Sequence, residues 1–230
     1  MVSYHDNINT FLGITKDYAE NYVLVLEYAN DGNLRDYLKK KFDSLQWKNK
    51  IQMANDITCG LKCLHSNDII HRDLHSKNIL VNDGKLLIAD FGLSKQITEA
   101  TSNSVANWMG MIEYIDPQCL ALGNLRFTKN KKSDIYSLGV LLWEITSGRP
   151  EKELVHIPIG GTPLEYSQLY QECWDNDPEK RPDIDQVYNK ISSLLNADGN
   201  EDPLKISDSN NLDLDDKQSS QAELNLDDLL

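Results

Sequence analysis

The 230-residue sequence predicts an α+β chain, and three patterns carry the prediction. Two pairs of short apolar runs, within 11–28 and 79–90, are each split by polar turn residues, as in antiparallel hairpins. Between them, Trp47, Ile51, Ala54, Ile57, Leu61 and Leu64 recur at intervals of three and four, the stripe of an amphipathic helix. Further on, "SDIYSLGVLLWEITSG" (133–148) is apolar nearly all round, as befits a helix at the centre of a core.

In chain order, "FLGIT" and "YVLVLEY" are the arms of the first hairpin, with "KDYAEN" between them. "ANDGN" reads as a loop and "LRDYLKK" as a short helix. "SND" ends the long helix. "ILV" and "KLLIAD" flank Asn82-Asp83-Gly84, a two-strand turn signal. Residues 92–133 are polar and irregular, so a long, mobile, functional loop is expected there. "TPLEYSQLYQECW" opens like a helix, with Thr162 as N-cap, Pro163 at the first helical position and Glu165 completing a capping box. Ile184, Val187, Ile191 and Leu194 mark a last helix. From Ala197 the chain turns rich in Asp, Asn and Ser, which divides a domain of residues 1–196 from an expected disordered tail of 197–230.

The formal net charge is −13, and the tail carries −8 of it, ten acids against two lysines. Such a balance argues against nucleic acid or an anionic membrane as partner, since both demand an excess of Lys and Arg. The four cysteines, Cys59, Cys63, Cys119 and Cys173, make no metal-site pair and no disulfide framework, which suits a reduced, cytoplasmic setting. No secretory signal opens the chain, and its longest apolar stretch is too short to span a bilayer.

The chemistry concentrates in "IIHRDLHSKNILVNDGKLLIADFG" (69–92), where Asp73, Asn78 and Asp90 stand between apolar runs. These offer oxygen ligands for a hard cation and a carboxylate able to take a proton. "HRDLHSKN" followed by "DFG" resembles the catalytic loop and metal-binding loop of the eukaryotic protein kinase family. The resemblance extends over roughly residues 5–195. "HDNINTFLGI", "LVLEYANDGNL", "SDIYSLGVLLWE" and "CWDNDPEKRPD" resemble further family segments, the last one being common in the tyrosine-kinase-like group.

The resemblance implies a kinase-like fold, mainly the large helical lobe plus the last hairpin and hinge of the small lobe. It implies transfer of the γ-phosphoryl group of ATP to a Ser/Thr hydroxyl of a protein, with Tyr as the alternative acceptor, and with Mg²⁺. Asp73 would be the catalytic aspartate, and Asn78 and Asp90 the metal ligands. Lys77 would be the catalytic-loop cation, since His75 occupies the position of the Ser/Thr-type lysine. Leu26 would be the gatekeeper, the backbone from Glu27 to Ala29 would bond adenine, and Leu80 would floor the pocket. His71 and Phe91 would couple the two loops, Asp134 would bond the catalytic-loop backbone, and Arg72 would receive a phosphate from the following loop. His5, His65 and His156 carry no functional assignment.

The sequence also departs from the family. No glycine-rich GxGxxG loop and no Val-Ala-Ile-Lys strand occurs in it. Asp116 and Gln118 stand where Ala and Glu are usual, so the brace from position 118 to Arg181 is expected to be a weaker, neutral one. Only eleven residues separate Pro150 from Thr162, which predicts a missing or shortened helix. Weak nucleotide binding and little or no turnover are therefore expected. Two other readings follow, a pseudokinase or scaffold that recruits a protein partner, and an incomplete gene model of an active kinase.

Overall fold

A computed structural model describes residues 4–92, 94–96, 111–120, 128–149 and 160–198. The expectations of a mobile loop through 97–110 and 121–127, a shortened helix near 150–159 and a disordered tail lie outside those residues.

The chain opens with β1 (Phe11–Lys16) and β2 (Tyr22–Leu26), paired antiparallel. Asp17 organises the turn, accepting the amides of Ala19 and Asn21. All five residues of β2 are exposed, and so is every residue of β1 but Gly13. This hairpin therefore buries no core face of its own.

Two helices follow. α1 (Leu34–Lys41) begins at Asn33, whose side chain accepts the Asp36 amide. α2 (Trp47–Ser66) begins with a reciprocal pair in which Gln46 and Asn49 bond each other's backbone. Its predicted stripe is the observed buried face: Ile51, Ala54, Ile57, Leu61 and Leu64 are all at most 1% exposed. Trp47 packs edge-on against Tyr166, 5.0 Å between ring centres.

The second hairpin lies against α2. It consists of β4 (Ile79–Asn82) and β5 (Lys85–Ile88), and its short neighbours β3 (Ile69–Ile70) and β6 (Lys95–Gln96) pair with each other. Both edges of β4–β5 are held. Asn7 accepts from the Ile88 amide and Asn9 donates to the Ile88 carbonyl, while Asp31 and Gly32 bond both backbone groups of Val81. Gly60 allows the first of these contacts, because a Cβ on it would stand 2.6 Å from the Asn7 carbonyl oxygen.

Between residues 111 and 120, the expected irregular segment contains a single turn over 112–114 and the short helix α3 (Pro117–Leu120). α4 (Lys131–Ser147) starts two residues earlier than the apolar pattern suggested, because Asn130 and Ser133 cap it reciprocally. Fourteen of its seventeen residues are buried. It stops at Gly148, whose φ of 70° is the left-handed end that glycine supplies without strain.

α5 (Leu164–Cys173) corrects the expected cap. Pro163 has the extended ψ of 140°, so it lies just outside the helix, and no side chain caps the start. α6 (Ile184–Asp198) packs on α2 and runs two residues past the expected domain boundary. The four cysteines are free.

Candidate functional site

The loop 71–78 takes its shape from Asp134 in the first turn of α4. That carboxylate, 1% exposed, accepts the His71 amide at 2.8 Å and the Arg72 amide at 2.9 Å, and faces His65 Nε2 at 3.0 Å. Burial alone would raise its pKa, yet His65 and these partners hold it below the ordinary carboxylate value. Arg72 is left at φ 70°, a left-handed conformation rare outside glycine. Its carbonyl accepts from Lys129 Nζ at 2.8 Å.

Asp73 follows, half-buried. Its amide donates to His71 Nδ1 at 3.3 Å, and the other ring nitrogen of His71 faces the Ala89 carbonyl at 3.1 Å. Both contacts fit a neutral ring protonated on Nε2, and burial depresses its pKa. Asn78 Nδ2 donates to the Asp73 carbonyl at 2.9 Å and to Oδ2 at 3.3 Å. His75 Nδ1 accepts the Asn78 amide, so its Nε2 carries the proton and faces Asp73 Oδ1 at 3.7 Å. His75 thereby pulls the Asp73 carboxyl below its usual range, against burial and with help from Lys129.

The β4–β5 register pairs Ile79 with Ile88, and the Ala89 amide donates to the Asn78 carbonyl at 2.9 Å. Asp90 thus emerges one residue beyond Asn78. It is exposed, at φ 60°, and its Oδ1 accepts the Gly92 amide at 3.1 Å. Phe91 stacks obliquely on His71, with ring centres 5.4 Å apart. Asn78, Asp90, the exposed Lys77, Leu26 and Leu80 all line one cavity of about 1000 Å³. Asp73, Glu27 and Ala29 are not among its lining residues. The Glu27 amide is spent inside the first hairpin, on the Thr10 carbonyl.

A second set of contacts joins 111–118 to the helices. Arg181 does not lean on Gln118 as expected. Its guanidinium grips Asp116 at both ends, at 2.6 and 2.9 Å, with both side chains fully buried. The carboxylate that the family pattern puts at 118 is supplied two residues earlier, and Gln118 bonds the Asn176 carbonyl instead. The brace is charged and bidentate, so the expectation of a weaker neutral one is overturned. Nearby, the Tyr114 hydroxyl donates to Glu144 and accepts from Arg35, which also bonds Ser76 of the loop 71–78.

Sequence reasoning missed three of these residues. Asp116 reads only as a departure from the family pattern, His65 shows no pattern, and Lys129 sits in an unremarkable basic run. The pairings of Asp116 and His65 span 65 and 69 residues, beyond the reach of any local signal.

A profile of the protein tyrosine and serine/threonine kinase family matches residues 1–191. This chain belongs to the protein kinase family. The chain is 33% identical over 205 residues to the serine/threonine/tyrosine-protein kinase HT1 of Arabidopsis thaliana, covering 80% of this chain and 50% of that one. It is 34% identical over 203 residues to a probable serine/threonine-protein kinase of Dictyostelium discoideum, covering 84% of this chain and 19% of that protein. Tyrosine-protein kinase abl-1 of Caenorhabditis elegans shares 31% over 242 residues, with 96% and 19% covered. The chain spans half or less of the length of these three relatives. Its helices and small antiparallel sheets are those of the α+β kinase fold.

Proposed function

We propose that this kinase-family chain transfers the γ-phosphoryl group of ATP to a protein Ser/Thr hydroxyl, Tyr being the other acceptor class. One observation carries the reading. The Asp73 carboxylate is bonded to Asn78, which shares a cavity of about 1000 Å³ with Asp90, Leu26 and Leu80.

The residues suit the absent groups. Among the described residues, no set of three or more His, Cys, Asp or Glu could hold a metal unaided. Two oxygen donors on one cavity, Asn78 and Asp90, instead suit Mg²⁺, which completes its shell with water and phosphate oxygens. When bound, Mg²⁺ neutralises phosphate charge. Asp73 orients the acceptor hydroxyl and takes its proton, and its lowered pKa keeps it ionised at neutral pH. Lys77 offers a cation at the cavity wall. On this reading Leu26 is the gatekeeper and Leu80 the floor of the base pocket, and the adenine edge takes the backbone groups from Glu27 to Ala29 other than the Glu27 amide, which Thr10 already holds. The partner is a protein, and the setting cytoplasmic. No helix among the described residues is long and apolar enough to cross a membrane.

The test is phosphate transfer from labelled ATP to generic Ser/Thr and Tyr substrates, by this chain and by any longer product of the same gene containing it. Asp73→Asn and Asp90→Asn abolish transfer if the reading holds, and unchanged activity in both sinks it. A scaffold reading is favoured by the first hairpin, where Phe11, Leu12, Ile14, Tyr22 and Leu24 are all at least half exposed. On that reading Mg·ATP leaves the melting temperature unchanged, and a protein partner covers the hairpin.

A further inference from the structure

Lys129 is 7% exposed, and lysine is rarely buried unless its charge is paired. It reaches the catalytic-loop segment from 57 residues away, where its Nζ bonds the Arg72 carbonyl at 2.8 Å. That carbonyl belongs to the peptide joining Arg72 to Asp73. The other backbone groups around it are already held, the Arg72 amide by Asp134 and the Asp73 amide by His71. Lys129 completes the set by holding the acceptor.

The clamp has something to hold. Arg72 lies at φ 70°, a conformation that a non-glycine residue keeps only when its surroundings enforce it. Its own side chain gives little help, since Arg72 Nε is buried without a hydrogen-bond partner among the described residues. His75 is turned towards Asn78 and packs obliquely on Tyr114, ring centres 6.0 Å apart, so it does not reach this carbonyl.

We propose that Lys129 is a positioning residue for Asp73, its ammonium pinning the Arg72–Asp73 peptide and so fixing where the Asp73 carboxylate stands. The effect on turnover rests on the phosphoryl-transfer reading, whereas the effect on the loop does not. Lys129→Met fills much of the same space without a donor, and Lys129→Arg keeps both donor and charge.

The test measures kinetics and amide hydrogen exchange in the full chain. In Lys129→Met, kcat falls by roughly 100-fold, the scale of a misplaced catalytic group, while KM for ATP and for protein substrate stays within about twofold. Exchange at the Arg72 and Asp73 amides speeds up, and exchange along α4 does not. Lys129→Arg restores most of kcat and the slow exchange. Unchanged kcat and unchanged exchange at 72–73 in Lys129→Met overturn the proposal. So does an equal loss of protection along α4, which would mark a merely structural lysine. If Asp73→Asn keeps full activity, the phosphoryl-transfer reading fails, and the exchange data alone decide the role of Lys129.

Discussion

Asp116→Ala strands a buried charge. In the native chain the Arg181 guanidinium makes four hydrogen bonds to described residues, two to Asp116 and one each to the Asp175 and Lys132 carbonyls. The substitution removes both charge-assisted bonds and leaves a guanidinium at 0% exposure with no counter-ion. Breaking a buried pair from one side costs about 3–5 kcal/mol, against a total stability of roughly 5–15 kcal/mol for a typical domain. Ser133 and the Gln118 amide lose an acceptor as well. Urea unfolding at neutral pH measures the loss. With a slope near 2 kcal/mol/M, the midpoint drops by about 2 M. Asp116→Asn, which keeps the shape, loses about 2 kcal/mol. The double variant Asp116→Ala/Arg181→Met recovers part of the loss because no charge remains stranded. If Asp116→Ala costs less than about 1 kcal/mol, or Gln118→Ala costs more than it does, the charged brace is not at 116.

Gly60→Ala drives a methyl to within 2.6 Å of the Asn7 carbonyl oxygen, so it should cost about 1–3 kcal/mol in urea unfolding, and a variant at least as stable as the parent would refute that close approach. His71 is buried and neutral, with its pKa lowered by burial. Above about pH 6.5 it is neutral both folded and unfolded. Below that the unfolded chain takes up its proton first, so stability declines as pH falls, by up to about 1.4 kcal/mol per unit. His71→Asn should flatten the decline between about pH 6.5 and 5, and an equally steep profile in the variant would contradict the assignment.

The local parts of the fold were legible. α2 shows its buried stripe at the spacing read from the sequence, and β4–β5 turns at Asn82-Asp83-Gly84 as expected, bringing Asp90 past Asn78. A hairpin and a helix face depend on neighbours a few residues apart, which periodicity records. The start of α5 was misread because Pro163 fits both the first helical position and the position just outside it. The wider frame of the site was not legible. His65 meets Asp134, Lys129 meets the Arg72 carbonyl, and Asn7 and Asn9 bond β5, each across a separation that only the packed core creates. Asp116 escapes a position-by-position match to the family pattern, while the core needs only one carboxylate within reach of Arg181.

Arg72 and Asp90 both lie in the left-handed region, at φ 70° and 60°. At these two sites the backbone selects residue type before chemistry does. Asn and Gly enter that region easily, whereas valine, isoleucine and threonine resist it. Asp90→Asn therefore keeps the turn and changes only the oxygen chemistry, and any loss it causes can be assigned to the carboxylate. Asp90→Val would distort the loop and erase the carboxylate together, so any loss it caused could not be divided between the two. Surveys of natural or engineered variation at 90 should find tolerance ordered by backbone preference, with function separating only within the permitted group.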